Sequence, residues 1–207
     1  RDVAPSRGLG DVYKRQLFKP LIDFIIAICA LPFFAIIYVI VAIAIKLDDG
    51  GPVFYMANRI GKNGKMFKMY KFRSMKVNAP VMYSEDGSSY SAADDPRVTK
   101  VGRFIRSTSL DETAQFLNIL KGDMAFVGPR GRGDDSVGTF ENDELDLMKV
   151  KPGITGYCQA YFRNSASPRD KRLKDAWYAN HVSFPLDFRI VLKTIVTVIK
   201  RDNVYTD

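Results

Sequence analysis

Two adjacent carboxylates, Asp111 and Glu112, are the residues of this chain with the clearest capacity for chemistry. Arg106 precedes them by about one helical turn, and Arg130 follows. Opposite charge nearby keeps a carboxylate ionised, so the pair could attack phosphorus, hold a divalent cation, or do both. The alternative is a solvated helix start in which Ser109 and Glu112 form a capping box. The two interpretations are compatible, because a cap would fix both carboxylates at a helix N-terminus.

The composition restricts the classes of partner. The chain has 207 residues, 46% of them hydrophobic, and a net charge of +8. This charge favours anionic partners, namely nucleic acid, an acidic membrane surface or phosphorylated substrates. The two cysteines lie far apart and a single histidine is present, which argues against a disulfide framework and against a zinc site.

A long apolar run indicates a membrane anchor. Between Leu21 and Ile45 the only charged residue is Asp23, and about 20 apolar residues suffice to cross a bilayer as a helix. Pro32 divides the run into two arms that are each too short to cross alone. Basic residues flank both ends, and basic flanks prefer the cytoplasm. We therefore predict a re-entrant membrane helix over 17–46, broken at Pro32, with a kinked spanning helix as the alternative.

The rest of the chain predicts one catalytic domain over 47–207, on the cytoplasmic side. Residues 1–16 lack apolar periodicity and are interpreted as an artefact or a disordered tail. Composition and alternation indicate a hairpin whose turn is Gly61–Lys65, and the polar segment 76–99 is predicted to be a mobile loop near the site. The fold class is α/β (α+β), with a small sheet and interfacial amphipathic helices.

An apolar stripe near the end of the chain leaves two interpretations open. Phe188, Val191, Leu192, Ile195 and Ile199 recur at helical spacing. Such a stripe usually faces a core, but beside a membrane anchor it could also lie in the lipid interface.

A series of motifs in a fixed order supports a more specific interpretation. They are Arg59-Ile60-Gly61, Tyr70-Lys71-Phe72-Arg73-Ser74-Met75, Asp95-Pro96-Arg97-Val98-Thr99, Ser109-Leu110-Asp111-Glu112, Leu120-Lys121-Gly122-Asp123-Met124, Gly128-Pro129-Arg130, Lys151-Pro152-Gly153-Ile154-Thr155-Gly156 and Trp177-Tyr178-Ala179-Asn180. From about Phe18 onward the chain resembles the bacterial sugar transferase family, the monotopic polyprenyl-phosphate phosphoglycosyl transferases, in its small single-domain form.

The resemblance implies an enzyme that moves a sugar-1-phosphate from a UDP-sugar to undecaprenyl phosphate and releases UMP. It implies that Asp111 is the nucleophile of a covalent intermediate, and that Glu112 helps to bind Mg²⁺ as the cofactor. It also implies that Lys71, Arg106 and Arg130 contact phosphate groups. A bidentate guanidinium suits transferred phosphoryl oxygens.

The same resemblance implies a location and partners. The protein is expected in the bacterial inner membrane, with the catalytic domain on the cytoplasmic face, at the first membrane step of a glycan pathway. A homodimer is one option, and nucleic acid is not an expected partner. The alternative function is a non-catalytic, basic, membrane-anchored protein that binds anionic partners.

The chain departs from the family pattern at three places. Leu31-Pro32 stands where the family has a Ser-Pro pair in the anchor. Ala114 stands where the family has a proline, and Gly131 replaces the last proline of the family's Gly-Pro-Arg-Pro motif. These changes are expected to loosen the anchor break, the helix after Glu112 and the Arg130 loop. Sugar specificity is expected to lie in 76–99, in Arg130–Asp135 and in Phe162-Arg163-Asn164.

Overall fold

The computed structural model describes residues 6–82, 90, 92, 94–133, 140–162 and 166–200, with side chains from Phe18 onward. Its α-helices are α1 (Ser6–Asp49), α2 (Lys100–Ser107), α3 (Phe116–Leu120), α4 (Tyr157–Tyr161), α5 (Pro168–Asn180) and α6 (Phe184–Lys200). Its strands are β1 (Phe54–Ile60), β2 (Met66–Phe72), β3 (Ala125–Val127) and β4 (Gly153–Thr155). The predicted mixture of helices with small sheets is confirmed.

Helix α1 continues through Pro32, so the predicted break of the helix at this residue is wrong. A proline inside a helix removes one hydrogen bond and tends to bend the helix without having to end it. Packing on both sides of Pro32 stabilises the helix here, because Ala27 and Phe34 are both buried against the domain. Within the described residues the helix includes 6–16, and the interpretation of 1–16 as an artefact stays a prediction.

Both ends of α1 contact the rest of the fold. Near its start, the Lys19 ammonium donates to the Asp187 carboxylate of α6 at 2.6 Å. At its end, the Asp48 carboxylate accepts the Val101 backbone N–H of α2 at 2.9 Å. By length and composition the helix could cross a membrane. Because its two ends meet one domain, however, α1 lies along that domain, and its path through the bilayer stays a prediction.

Strands β1 and β2 form the predicted hairpin. They pair antiparallel from Phe54–Phe72 to Ile60–Met66, and the turn is a 3₁₀ helix over Lys62–Gly64. The free edge of β2 is covered by Asn118, whose side chain accepts the Tyr70 N–H at 2.9 Å and donates to the Lys68 carbonyl at 2.7 Å. This amide fixes β2, and with it Lys71, against α3.

Strands β3 and β4 form a parallel pair that the sequence did not predict. The two chains approach so closely that a Cβ on Gly153 would lie 2.1 Å from the Gly128 nitrogen. Only glycine allows such an approach of two backbones. The close contact directs the segment that follows β3, including Arg130, toward the site described below.

The polar loop 76–99 is closed at its base by Arg97. This guanidinium, 7% exposed, pairs with the buried Asp95 and donates to the Pro80 carbonyl at 2.9 Å and the Tyr90 carbonyl at 3.1 Å. The Met75–Val98 bridge adds a backbone contact. The predicted mobility falls largely on 83–89, 91 and 93, which lie outside the described residues.

Most of the apolar stripe of α6 faces away from the core. Phe188, Leu192, Ile195 and Ile199 are exposed, whereas Val191 packs against the core cluster that contains the completely buried Ile190. Of the two interpretations left open, the core therefore holds for Val191 alone. The exposed stripe has the character of an interfacial helix.

Candidate active site

The carboxylate pair lies in a 3₁₀ helix over Leu110–Gln115, between α2 and α3. Ser109 precedes it with a left-handed backbone (φ 58°, ψ 18°), and its side chain makes no capping hydrogen bond. The predicted capping box is therefore wrong, because an N-cap side chain reaches the helix from an extended backbone. A turn replaces the cap: the Ser109 N–H donates to the Arg106 carbonyl at 3.1 Å and the Glu112 N–H to the Ser109 carbonyl at 3.3 Å.

The structure brings the predicted basic residues to the pair. From β2, the Lys71 ammonium lies 2.8 Å from Glu112 Oε1 and 3.9 Å from Asp111 Oδ2. From the segment after β3, the Arg130 guanidinium donates to Glu112 Oε1 at 3.2 Å. Arg106 is on α2, and its positive charge acts on the Asp111 carboxyl. Residues far apart in the sequence thus meet at one anionic turn.

The two neighbouring carboxyls differ in their readiness to ionise. Burial raises the pKa of Asp111 to about 6, although the Lys71 charge lowers it in part and the Glu112 charge raises it further. Burial also acts to raise the pKa of Glu112, but Lys71 and Arg130 outweigh it and lower that pKa to about 2. Glu112 is therefore the permanent anion of the pair, and Asp111 is an anion that takes up a proton just below neutral pH.

The chemistry of the donor set fits Mg²⁺. In the part of the chain that the structure describes, no group of three or more His, Cys, Asp or Glu side chains could enclose a metal ion. Mg²⁺ does not require one, because it is commonly held by one or two carboxylates, several waters and the phosphates of a substrate. Asp111 and Glu112 supply such carboxylates beside a cleft that is otherwise cationic.

A buried carboxylate behind the site was missed by the sequence analysis. Asp175 of α5 is 2% exposed and accepts the Arg130 backbone N–H and the Arg132 guanidinium, both at 3.4 Å. It fixes the segment that carries Arg130. Asp175 comes two residues before the Trp177 motif, but its partners are more than 40 positions away, so local sequence could not reveal them.

The site opens into a small cleft that three further polar residues line: Arg59, Gln115 and Gln159. A second hollow, of about 250 Å³, is lined mainly by apolar side chains together with Arg130 and Arg132. Arg130 lies at the boundary of the two. The sequence analysis did not single out either glutamine, although Gln115 comes three residues after Glu112.

The structure describes only part of the predicted specificity segments. Phe162 contacts the Lys174 ammonium, which lies 3.9 Å from its ring centre. Arg163 and Asn164, together with Asp134 and Asp135, lie outside the described residues. Gly131 packs next to Arg59 and Pro152.

Comparison with known proteins gives a consistent result. Residues 14–201 match the family model described as bacterial sugar transferase. The undecaprenyl-phosphate galactose phosphotransferase of Salmonella typhimurium is 39% identical over 168 residues, covering 76% of this chain and 35% of the relative. An Aeromonas hydrophila protein named UDP-N-acetylgalactosamine-undecaprenyl-phosphate N-acetylgalactosaminephosphotransferase is 38% identical over 183 residues, covering 86% and 42%.

A shorter relative matches over nearly its full length. The exopolysaccharide production protein ExoY of Sinorhizobium fredii is 36% identical over 209 residues, covering 96% of this chain and 90% of the relative. The chain therefore spans less than half of the two phosphotransferases.

Proposed function

The chain belongs to the bacterial sugar transferase family, and on that premise we propose that it moves a sugar-1-phosphate from a UDP-sugar to undecaprenyl phosphate. The observation that carries the proposal is the Asp111–Glu112 turn beneath Lys71 and Arg130. The names of two relatives, which specify undecaprenyl phosphate and a galactose or N-acetylgalactosamine phosphate group, support it.

In the first step, a carboxylate oxygen of Asp111 attacks the phosphorus that carries the sugar. An O–P bond forms to Asp111, the diphosphate bridge breaks, and UMP leaves with the electron pair of the broken bond. Asp111 suits this attack because its side chain is only 13% exposed, so water does not shield the carboxylate. The charge of Lys71 keeps the buried group ionised at neutral pH.

The cationic side chains accommodate the diphosphate. Arg130 is 52% exposed, and its guanidinium can leave Glu112 for a phosphate oxygen without moving its backbone, which Asp175 fixes. Bound Mg²⁺ would neutralise charge on the diphosphate so that an anionic nucleophile can approach. Glu112 is the residue that would hold it, which leaves the Asp111 oxygens available for the attack.

In the second step, a phosphate oxygen of undecaprenyl phosphate attacks the same phosphorus. The O–P bond to Asp111 breaks, a polyprenyl diphosphosugar forms, and the Asp111 carboxylate is regenerated. No net proton is consumed, so Asp111 needs no separate acid.

The lipid acceptor requires a membrane surface, and two helices suit it. The exposed apolar residues of α1 and those of α6 adjoin where Lys19 meets Asp187. We propose that this surface lies in the inner membrane with the domain on the cytoplasmic side. Reaction of a periplasmic thiol reagent with a cysteine introduced at Leu47, an exposed position at the domain end of α1, would contradict this orientation.

The test is UMP release from UDP-galactose, UDP-glucose and their N-acetyl counterparts, with undecaprenyl phosphate and Mg²⁺. Wild-type protein is expected to release UMP with at least one donor, and excess chelator is expected to abolish release. Without acceptor, intact mass should rise by one sugar-phosphate in wild type and stay unchanged in Asp111→Asn. Release by the variant at the wild-type rate would refute the mechanism and favour a non-catalytic binding protein.

A further inference from the structure

Two glutamines share the cleft with the charged residues. Gln115 lies on the same 3₁₀ helix as Asp111 and Glu112, and Gln159 lies on α4. Both line the cleft that Lys71, Glu112 and Arg130 also line. Neither glutamine has a part in the transfer steps described above.

The amide of Gln115 is open to the cleft and makes no hydrogen bond to the described part of the protein. The residue is 3% exposed, but its amide atoms are not among the buried side-chain atoms that lack a partner, and it lines the cleft. Asn118, on the next turn, shows the contrast, because its buried amide makes two hydrogen bonds to β2. The amide of Gln115 therefore keeps its hydrogen-bonding groups for what enters the cleft, whereas the amide of Asn118 is fully used within the fold.

Only one of the two polar atoms of the Gln159 amide lacks a hydrogen-bond partner within the described residues. Its Nε2 donates to the Ile154 carbonyl at 3.3 Å, which fixes the orientation of the amide. Its Oε1 is buried and has no partner in the described part of the chain. Gln159 therefore lines the cleft with an oxygen that no described protein group satisfies, whereas Gln115 offers both a donor and an acceptor.

The hydrogen-bonding groups of an amide suit one part of a UDP-sugar better than the others. Phosphate oxygens are better served by the cations Lys71 and Arg130. Sugar hydroxyls both donate and accept, which matches an amide.

We propose that Gln115 and Gln159 bind the hydroxyl or acetamido groups of the transferred sugar and set the preference among UDP-sugars. This inference depends on the proposed function, because the sugar is attached to the phosphorus that Asp111 attacks. A site that hydrogen-bonds one substrate group rejects analogues that lack it or place it differently.

The test uses Gln115→Met and Gln159→Met, which keep the length of the side chain and remove the amide. Each variant is expected to lower kcat/KM for the preferred UDP-sugar about tenfold, in keeping with one or two lost hydrogen bonds. The ratio of kcat/KM between UDP-galactose and UDP-glucose should move toward one. The inhibition constant of UMP, which has no sugar substituent, should stay within about twofold of wild type.

Thr113→Val is the matched control. Thr113 is on the same 3₁₀ helix, bonds only to the Leu110 carbonyl within the described residues, and does not line the cleft. It should leave the donor preference unchanged, and a thermal melt should show each variant folded.

Three results would overturn the inference. If both Met variants keep the ratio of kcat/KM between UDP-galactose and UDP-glucose within twofold of wild type, the two amides do not bind the groups that distinguish these sugars. If the variants weaken the binding of UMP as much as they lower kcat/KM for every UDP-sugar, the two amides bind the nucleotide instead of the sugar. If wild type turned over none of the four donors, the proposed function would itself fail, and this inference with it.

Discussion

The partly buried Asp111 and the buried Asp175 both lie near the Arg130 segment, and the surroundings of the two carboxylates differ in one respect. Burial raises the pKa of both Asp111 and Asp175 to about 6. Asp175 is held by hydrogen bonds from the Arg130 backbone and the Arg132 side chain. Asp111 has an ion pair with Lys71 at 3.9 Å, and no hydrogen bond reaches its carboxylate within the described residues.

The comparison separates a carboxylate that holds a loop from one that can react. Lone pairs engaged with donors are less available to attack phosphorus, so Asp175 is a positioning residue. Asp111 keeps its oxygens available while nearby cations maintain its charge. A raised pKa alone would therefore not identify the nucleophile, since both acids have it. The partners of each oxygen distinguish them.

The strongest test replaces each acid in turn. Asp111→Asn should lower UMP release at least ~10³-fold, because no carboxylate remains to form the intermediate. Asp175→Asn should retain at least about a tenth of wild-type kcat, with a raised KM for the donor, because it affects only the support of Arg130. Steady-state kinetics of both purified variants provide the measurement. An equal loss of kcat in the two would contradict the distinction.

The pH dependence of the reaction should follow Asp111. Because its pKa is raised to about 6, the reactive anion is lost at a higher pH than for an exposed aspartate. We expect kcat/KM for the donor to fall about tenfold per pH unit below pH 6 and to level off above it. Asp175→Asn should show the same profile. A flat profile down to pH 5 would count against Asp111 as the ionising nucleophile.

Asp175 should instead affect stability. The pKa of Asp175 in the folded protein, about 6, exceeds the ordinary value of 3.8. Its contribution to the free energy of unfolding is therefore full below about pH 4 and declines as the pH rises through 6. Between pH 4 and pH 7, the free energy of unfolding of the wild type should fall by on the order of 2 kcal/mol relative to that of Asp175→Asn. This corresponds to a fall of about 4–8 °C in Tm relative to the variant. Thermal melts of both proteins across this range measure it. A constant Tm difference would show that Asp175 does not change its protonation on unfolding.

The smallest expected effect concerns the rigidity of the segment between the two acids. A Cβ at Gly131 would meet Arg59 and Pro152 at 3.7 Å, an ordinary contact, so Gly131→Ala should stabilise the fold by about 0.4–1 kcal/mol. Gly122→Ala is the control and should destabilise, since Gly122 has φ +81°. Denaturant titrations compare the two. Destabilisation by Gly131→Ala would mean that the loop needs a conformation alanine cannot adopt.

The sequence predicted features that depend on local pattern. The apolar helix, the hairpin around Gly61–Lys65 and the mixed fold class are confirmed, because periodicity and turn composition act over a few residues. The carboxylate pair was found by its neighbouring charges. Its position in a 3₁₀ turn was not, because the left-handed Ser109 depends on packing between α2 and α3 rather than on the residue type.

Features that depend on distant contacts could not be predicted. The parallel pair β3 and β4 joins short segments with no strand signature, and Asp175 reaches Arg130 from 45 positions away. Pro32 was misjudged because its local effect is to interrupt a helix, whereas the packing of Ala27 and Phe34 carries α1 through it. The interior of the fold determined each of these outcomes.

The Arg97 clamp has a consequence for how such a protein could diversify. Because one guanidinium joins Pro80 to Tyr90, the ends of the intervening segment are fixed independently of what lies between them. Doubling the length of a closed loop costs only about 0.6 kcal/mol. Insertions between these two positions are therefore expected to leave the base of the loop, and the catalytic turn beyond it, in place.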